Sequence, residues 1–214
     1  MSKAVARPSS QGVDTIIFDL GNVLIQWDPR HLYRKIFGAD EAAMERFLSD
    51  VCNAEWNERQ DCGRPWKEAI AEAVARYPEH ESNINAYFDR RSEMVPGAIE
   101  ETVKVLDQLR NVNVRLLALT NWSAETFHFA EARFPFLTWF EGIVVSGRER
   151  LVKPDPAIFR LIIERYDLRP ETTVFIDDSL RNVEAAEREG LRAVHFDNAT
   201  ALAGRLRAMG IDLP

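Results

Sequence analysis

Residues 14–24 read Asp-Thr-Ile-Ile-Phe-Asp-Leu-Gly-Asn-Val-Leu, or DTIIFDLGNVL. The short branched apolar run predicts a buried strand. It ends in Asp19, and a tight Gly-Asn turn follows. An aspartate leaving the carboxyl end of a buried strand is where an α/β enzyme presents a nucleophile. A carboxylate two residues on would supply the proton for such chemistry, but position 21 is glycine.

Outward from this stretch the same pattern repeats. VRLLALT (114–120), GIVVS (142–146), TTVFID (172–177) and RAVHF (192–196) are short, branched and bounded by turn formers, so each predicts a strand. Helical faces lie between them. Ile99, Val103, Leu106 and Leu109 form one after Pro96-Gly97. Phe159, Ile162, Ile163 and Tyr166 form another after Asp155-Pro156, a helix cap followed by proline in the first turn. The alternation predicts an α/β fold, a Rossmann-like parallel sheet with helices on both faces. The interval 27–95 breaks the rhythm. It holds no convincing strand but carries helical faces such as Trp66, Ile70, Ala73, Val74 and Tyr77. It predicts an all-helical cap inserted after the first strand. The expected organisation is a loose tail over 1–12, a core over 13–26 and 96–214, and a cap over 27–95.

Composition narrows the function. With 214 residues, 46% of them hydrophobic, the chain can bury one core of ordinary size with a subdomain added. A net charge of −7 leaves no general basic face for nucleic acid or an anionic membrane. No apolar run approaches the ~20 residues that span a bilayer, and the first residues lack the apolar centre of a signal peptide. Cys52 and Cys62 show no metal-ligand spacing and suit reduced thiols, so a cytoplasmic protein with a small-molecule partner is expected. Composition leaves the oligomeric state open.

The strand ends carry the chemistry. Asp19 follows the first strand, Thr120-Asn121 the second, Lys153-Pro154 lies soon after the third and Asp177-Asp178 closes the fourth. A parallel sheet would bring all of them to one edge. A carboxylate, a hydroxyl beside backbone amides, an ammonium and further acids are the parts needed for phosphoryl transfer through an aspartyl-phosphate. Each feature also has a plainer reading. Thr120-Asn121 would cap a helix starting near Ser123, Lys153 would be a surface charge, and Asp177-Asp178 would cap the helix running to Gly190. Order and spacing together favour the site.

The set FDLGNVL, LTNWS, VKPDPAIF and FIDDSLRNVEAA resembles the four motifs of the haloacid dehalogenase superfamily, in order and over nearly the whole chain. The resemblance implies a phosphomonoester hydrolase with Asp19 as nucleophile. Thr120 and the Asn121 amide would bind phosphate, and Lys153 would steady nucleophile and phosphate. Magnesium would be held by Asp19, the Gly21 carbonyl and Asp178, with Asp177 as a second ligand or outer partner. The helical insertion resembles the superfamily's cap, and the substrate would be a small phosphorylated metabolite, a sugar phosphate being one class.

Gly21 is the departure, because most phosphatases of the superfamily carry their acid and base there. Its loss removes a contribution of about 10²- to 10⁴-fold. The DLGNV variant is similar to a branch of helical-cap members resembling bacterial glucose-1-phosphate phosphatases. A turn requiring positive φ is a second reason for glycine at this position. A 2-haloacid dehalogenase, which attacks carbon without metal, is the alternative, and the adjacent acids Asp177-Asp178 count against it. A catalytically silent binding protein is the third reading. His31, His80, His128 and His195 share no spacing and predict surface or packing roles. Trp56 and Trp66 predict cap core, Trp27 a position facing the cleft, and Arg30 an anion contact or the first turn of a helix.

Overall fold

The computed structural model describes residues 12–213, so almost all of the expected tail lies outside the described residues. After β1 (Thr15–Phe18) the chain forms α1 (Arg30–Phe37), α2 (Glu41–Asp50), α3 (Ala54–Asp61), α4 (Trp66–Arg76) and α5 (Glu81–Asp89), then α6 (Glu100–Leu109). It continues through β2 (Arg115–Thr120), α7 (Phe127–Arg133), β3 (Gly142–Val145), α8 (Ser146–Glu149) and α9 (Pro156–Arg165). β4 (Thr173–Asp177), α10 (Leu180–Arg188), β5 (Arg192–His195) and α11 (Ala199–Ala208) complete it. All five strands are parallel, in the order β3-β2-β1-β4-β5. Each stands where the apolar runs predict it, to within one residue at either end.

The runs are apolar throughout because both sheet faces are covered. Ile16, Phe18, Leu116, Ala118, Val174 and Ile176 point to one side, into a cluster with α6, α7 and α11. Their neighbours Ile17, Leu117, Leu119 and Phe175 point to the other, against Ile158, Phe159 and Ile162 of α9 and Ala185 and Ala186 of α10. Asp155 caps α9 as expected, accepting from the Ala157 amide, with Pro156 in the first turn. The helix expected near Ser123 starts only at Phe127. The backbone first makes a turn there, with the Thr126 and Phe127 amides donating to the Ser123 carbonyl.

Helices α1 to α5 have a core of their own, built on Tyr33, Phe47, Trp56, Trp66 and Tyr87. The Trp56 ring meets Trp66 at 5.6 Å and Tyr87 at 5.1 Å, both edge to face. On α4, Trp66, Ala69 and Ala73 are buried, while Ile70, Val74 and Tyr77 only flank the cluster. No helix among the described residues is long and apolar enough to cross a membrane.

Two sets of contacts hold the cap to the sheet. At its base the two crossing segments pair with each other: Gln26 N–H donates to the Gly97 carbonyl, Ile99 N–H to Leu24 and Asp28 N–H to Met94. Arg133 donates to the carbonyls of Val95 and Pro96 beside them. Over the strand ends, Trp66 Nε1 donates to Ser123 Oγ at 3.0 Å, and Ser146 Oγ donates to the Asp61 carbonyl at 2.6 Å.

The second set requires the loop after β2 to lie flush on α8. Gly147 makes this approach possible, since a Cβ there would lie 2.4 Å from the Ala124 nitrogen and 2.8 Å from the Trp122 oxygen. Both are backbone atoms and cannot swing away. Gly147→Ala is expected to cost about 2 kcal/mol, lowering the midpoint of a thermal melt by roughly 4–8 °C. Gly97→Ala is the control, since its Cβ meets nothing within 4 Å.

Candidate active site

The carboxyl ends of β1, β2 and β4 open into a cleft of about 570 Å³ beneath the cap. Asp19, Gly21, Asn121 and Asp178 lie on its floor, and Trp27, Trp66, Tyr87, Met94, Phe129 and Phe134 are among its walls. The site falls between β1 and β4, where the chain turns from building one half of the sheet to building the other. Open α/β sheets bind ligands at this place.

Lys153 is the centre of the floor. Its ammonium lies 2.8 Å from Asp19 Oδ1 and 2.7 Å from Asp177 Oδ2, and its side chain is only 1% exposed. The surface-charge reading of Lys153 therefore fails. Asn121 places it, donating from Nδ2 to the Lys153 carbonyl and accepting the Lys153 amide on Oδ1, both at 2.9 Å. These two bonds fix the orientation of the Asn121 side chain and present its backbone at the cleft floor. Thr120 is buried at the end of β2.

Asp177 and Asp178 differ sharply. Asp177 is fully buried, paired with Lys153, and accepts from the Ser179 amide at 2.8 Å and from Asn182 Nδ2 at 3.0 Å. It also does some of the capping expected of it, since its Oδ1 holds the amide just ahead of α10. Asp178 is exposed to the cleft. Carboxylate oxygens of Asp19, Asp177 and Asp178 all lie within 4.8 Å of one another.

Three acids thus face one ammonium. The Asp19 carboxyl is raised to about 7, burial pushing it up most, Lys153 pulling it down and the charges of Asp177 and Asp178 pushing it up. Burial and Asp177 also raise Asp178. Lys153 is drawn down by burial, but Asp177 and Asp19 hold it above the ordinary lysine range. The surplus negative charge and hard oxygen donors fit a divalent cation such as magnesium.

The turn after Asp19 differs from one expectation. The positive φ belongs to Asn22, at 54°, and not to Gly21. Asn22 N–H donates to the Ile25 carbonyl, and its side chain accepts the Trp27 amide, a local bond that suits asparagine to this backbone. A Cβ at Gly21 would meet nothing within 4 Å. Glycine at 21 is therefore imposed neither by the turn nor by crowding.

Trp27 lines the cleft as expected, and Trp66 belongs both to the cap core and to the cleft wall. His195 packs beside the site, its Nε2 2.9 Å from the Asp178 carbonyl. His80 lies edge-on to Phe47 and His128 against Phe129. Arg30 opens α1 and pairs with Glu45 at 2.6 Å, which settles its role as structural. Sequence reasoning missed three polar residues. Asn182 was legible as the position one helical turn after Asp178. Asn57 and Asp61 of α3 line the cleft from above, and nothing in their spacing marks them.

Residues 13–190 match the haloacid dehalogenase-like hydrolases. The chain is 26% identical over 196 residues to the sesquiterpene phosphatase astK of Aspergillus oryzae, covering 90% of this chain and 94% of that one. It is 28% identical over 187 residues to the drimenol cyclase drtB of Aspergillus calidoustus, covering 86% of this chain but spanning only 34% of the cyclase. Its fold is similar to that of the HAD family enzyme BT-2542 of Bacteroides thetaiotaomicron, solved with magnesium and inorganic phosphate. There the TM-score is 0.67 at 21% identity, over 87% of this chain and 96% of the other.

Removing the ammonium would strand two buried carboxylates. Lys153→Met is expected to cost about 3–5 kcal/mol at neutral pH. Without Lys153 nothing offsets the burial that raises the Asp19 carboxyl, so its part of the penalty is full above the folded pKa and fades as pH falls and the group takes a proton. Urea midpoints of variant and parent, compared at pH 7.5 and pH 5.5, should therefore converge at the lower pH.

Proposed function

The chain belongs to the haloacid dehalogenase-like hydrolases, and from that premise we propose that it is a magnesium-dependent phosphomonoesterase working through a phosphoryl group carried on Asp19. The observation that carries this reading is the pairing of a cleft-lining aspartate with a buried ammonium, beside a second, unpaired acid at the cleft floor. Asp19 attacks phosphorus, and its bond to Lys153 aims the free oxygen and favours the ionised carboxyl against the burial that opposes it. Thr120 and the Asn121 amide hold phosphate oxygens, with Lys153 balancing their charge. Asp177 is the outer partner that fixes Lys153 and leaves Asp178 as the direct metal ligand with Asp19 and the Gly21 carbonyl. A magnesium ion held by these residues would supply positive charge to offset that of the phosphate.

The reading extends to the substrate. Aromatic walls favour a phosphate ester with an apolar body, as does the likeness to a sesquiterpene phosphatase. This goes against the sugar phosphate expected from the DLGNV resemblance. The free thiols Cys52 and Cys62 suit action in the reducing cytoplasm. The residues between 27 and 95 serve as the cap that screens the substrate. Dehalogenation is disfavoured by the same floor, because a carboxylate substrate would meet Asp177 and Asp178 with no cation between them.

Two measurements test the proposal. Asp19→Asn should lower turnover by about 10⁴-fold or more, and mass mapping of the parent quenched during turnover should find the added phosphoryl group on Asp19. Full activity in Asp19→Asn would end the reading.

Chelation should abolish phosphate release and added magnesium restore it, while Asp178→Ala should raise the magnesium concentration required. Chloride release from 2-chloropropionate under chelation would establish the dehalogenase instead.

A further inference from the structure

A leaving oxygen needs a proton, and Gly21 has none to give. The cleft contains few groups that could replace it. Arg91, Arg133 and Arg181 stay protonated at any working pH. Tyr87 is buried, its hydroxyl is bonded to Asn57 Oδ1 at 3.2 Å, and burial holds its pKa well above that of a free tyrosine. Asp89 is exposed at the rim, Asp19 is the nucleophile and Asp178 stands at the metal end. One acid remains.

We propose that Asp61, reaching the cleft from the end of α3 in the cap, is the general acid and base of this enzyme, taking the place of the carboxyl missing at Gly21. The proposal rests on the phosphatase reading above. Asp61 has no ion-pair partner among the described residues and is held from three directions. Its backbone carbonyl accepts from Ser146 Oγ and its Oδ2 accepts from Asn57 Nδ2 at 2.9 Å, while the Ser123 amide, three residues beyond Thr120, acts on its carboxyl from the third side and favours the charged form. Tyr87 steadies Asn57 in turn. An acid oriented by a second group that a third fixes is the arrangement proton transfer requires.

The protons balance over two steps. As an Asp19 oxygen bonds to phosphorus, the phosphorus–oxygen ester bond breaks and its electron pair goes to the leaving oxygen. That oxygen takes the Asp61 proton and departs as an alcohol. Water then attacks phosphorus, giving its proton to the Asp61 carboxylate, and the bond to Asp19 breaks with its electrons returning to the aspartate. Burial supports the role by raising Asp61 to about 7, with Glu58 on the same helix pushing the same way and the Ser123 amide and Asn57 resisting. The other charged or titrating neighbours are Tyr87 on α5, Glu125 in the loop after β2 and Arg181 on α10, which pairs with Glu58 at 3.9 Å.

The test is a series of aryl phosphates differing only in ring substituents, followed in single turnovers with magnesium present. For the parent the rate should depend weakly on leaving-group pKa. Asp61→Asn should make the dependence steep, lowering the poorest leaving group by about 10²- to 10⁴-fold and the best by only a few-fold, with a burst of phenol ahead of phosphate. Adding Gly21→Asp to Asp61→Asn should flatten it again, since that side chain has open space. The parent alone gives a second readout: the rate ratio of poorest to best leaving group should fall as pH rises past neutrality. An equal loss across the series, or a steep dependence already present in the parent, would overturn the role of Asp61. In either case phosphoryl transfer to Asp19 would still be detected, whereas a parent that releases no phosphate would overturn the underlying reading.

Discussion

One buried ammonium organises the catalytic edge of this molecule. Lys153 lies between acids that leave β1 and β4, and it supplies both with the opposite charge that a buried carboxylate needs. The two strands are neighbours in the sheet, so their registry sets the gap that the ammonium fills. Asn121, at the end of β2, holds the backbone of Lys153 from the other side. Three strand ends are thereby tied to one residue. Because that single positive charge faces three acids, the floor stays short of positive charge, and this deficit suits it to a cation and a phosphate arriving together.

Much of this was legible because burial on both sheet faces leaves a plain mark. Ile16 and Ile17 point in opposite directions, yet both must be apolar, so β1 reads as an unbroken run. Asp19, Lys153 and Asp177 could be placed because each lies at or soon after the end of a strand, and parallel strands deliver their ends to one edge. Asp61 could not. It ends an ordinary polar helix beside Gln60 and Cys62, and its position over the cleft depends on how α3 seats on Ser146, 85 residues away. Gly21 invited a reading from backbone strain. The structure puts that conformation on Asn22, where a side chain that bonds locally makes it tolerable.

The cap is more than a cover. Trp66 packs against Trp56 and Tyr87 within it, yet its indole nitrogen bonds Ser123 on the core. Stability of the cap interior and its seating on the sheet thus share one residue. The Tyr87, Asn57 and Asp61 chain descends from that same aromatic cluster to the cleft. Packing that carries no charge therefore sets the position of groups that do.

The pairing at the base of the cap also bears on how such a chain can change. Because Leu24 and Gln26 are already bonded to Ile99 and Gly97, on either side of the Ile25–Ala98 bridge, the core closes on itself before the insertion begins. To the sheet, everything between those residues is a single loop with its ends joined. The entropy of closing such a loop grows only with the logarithm of its length. Helices could then be lengthened, lost or exchanged there at little cost to the fold below. The helices above the cleft are free to drift, while the lysine-centred floor stays fixed.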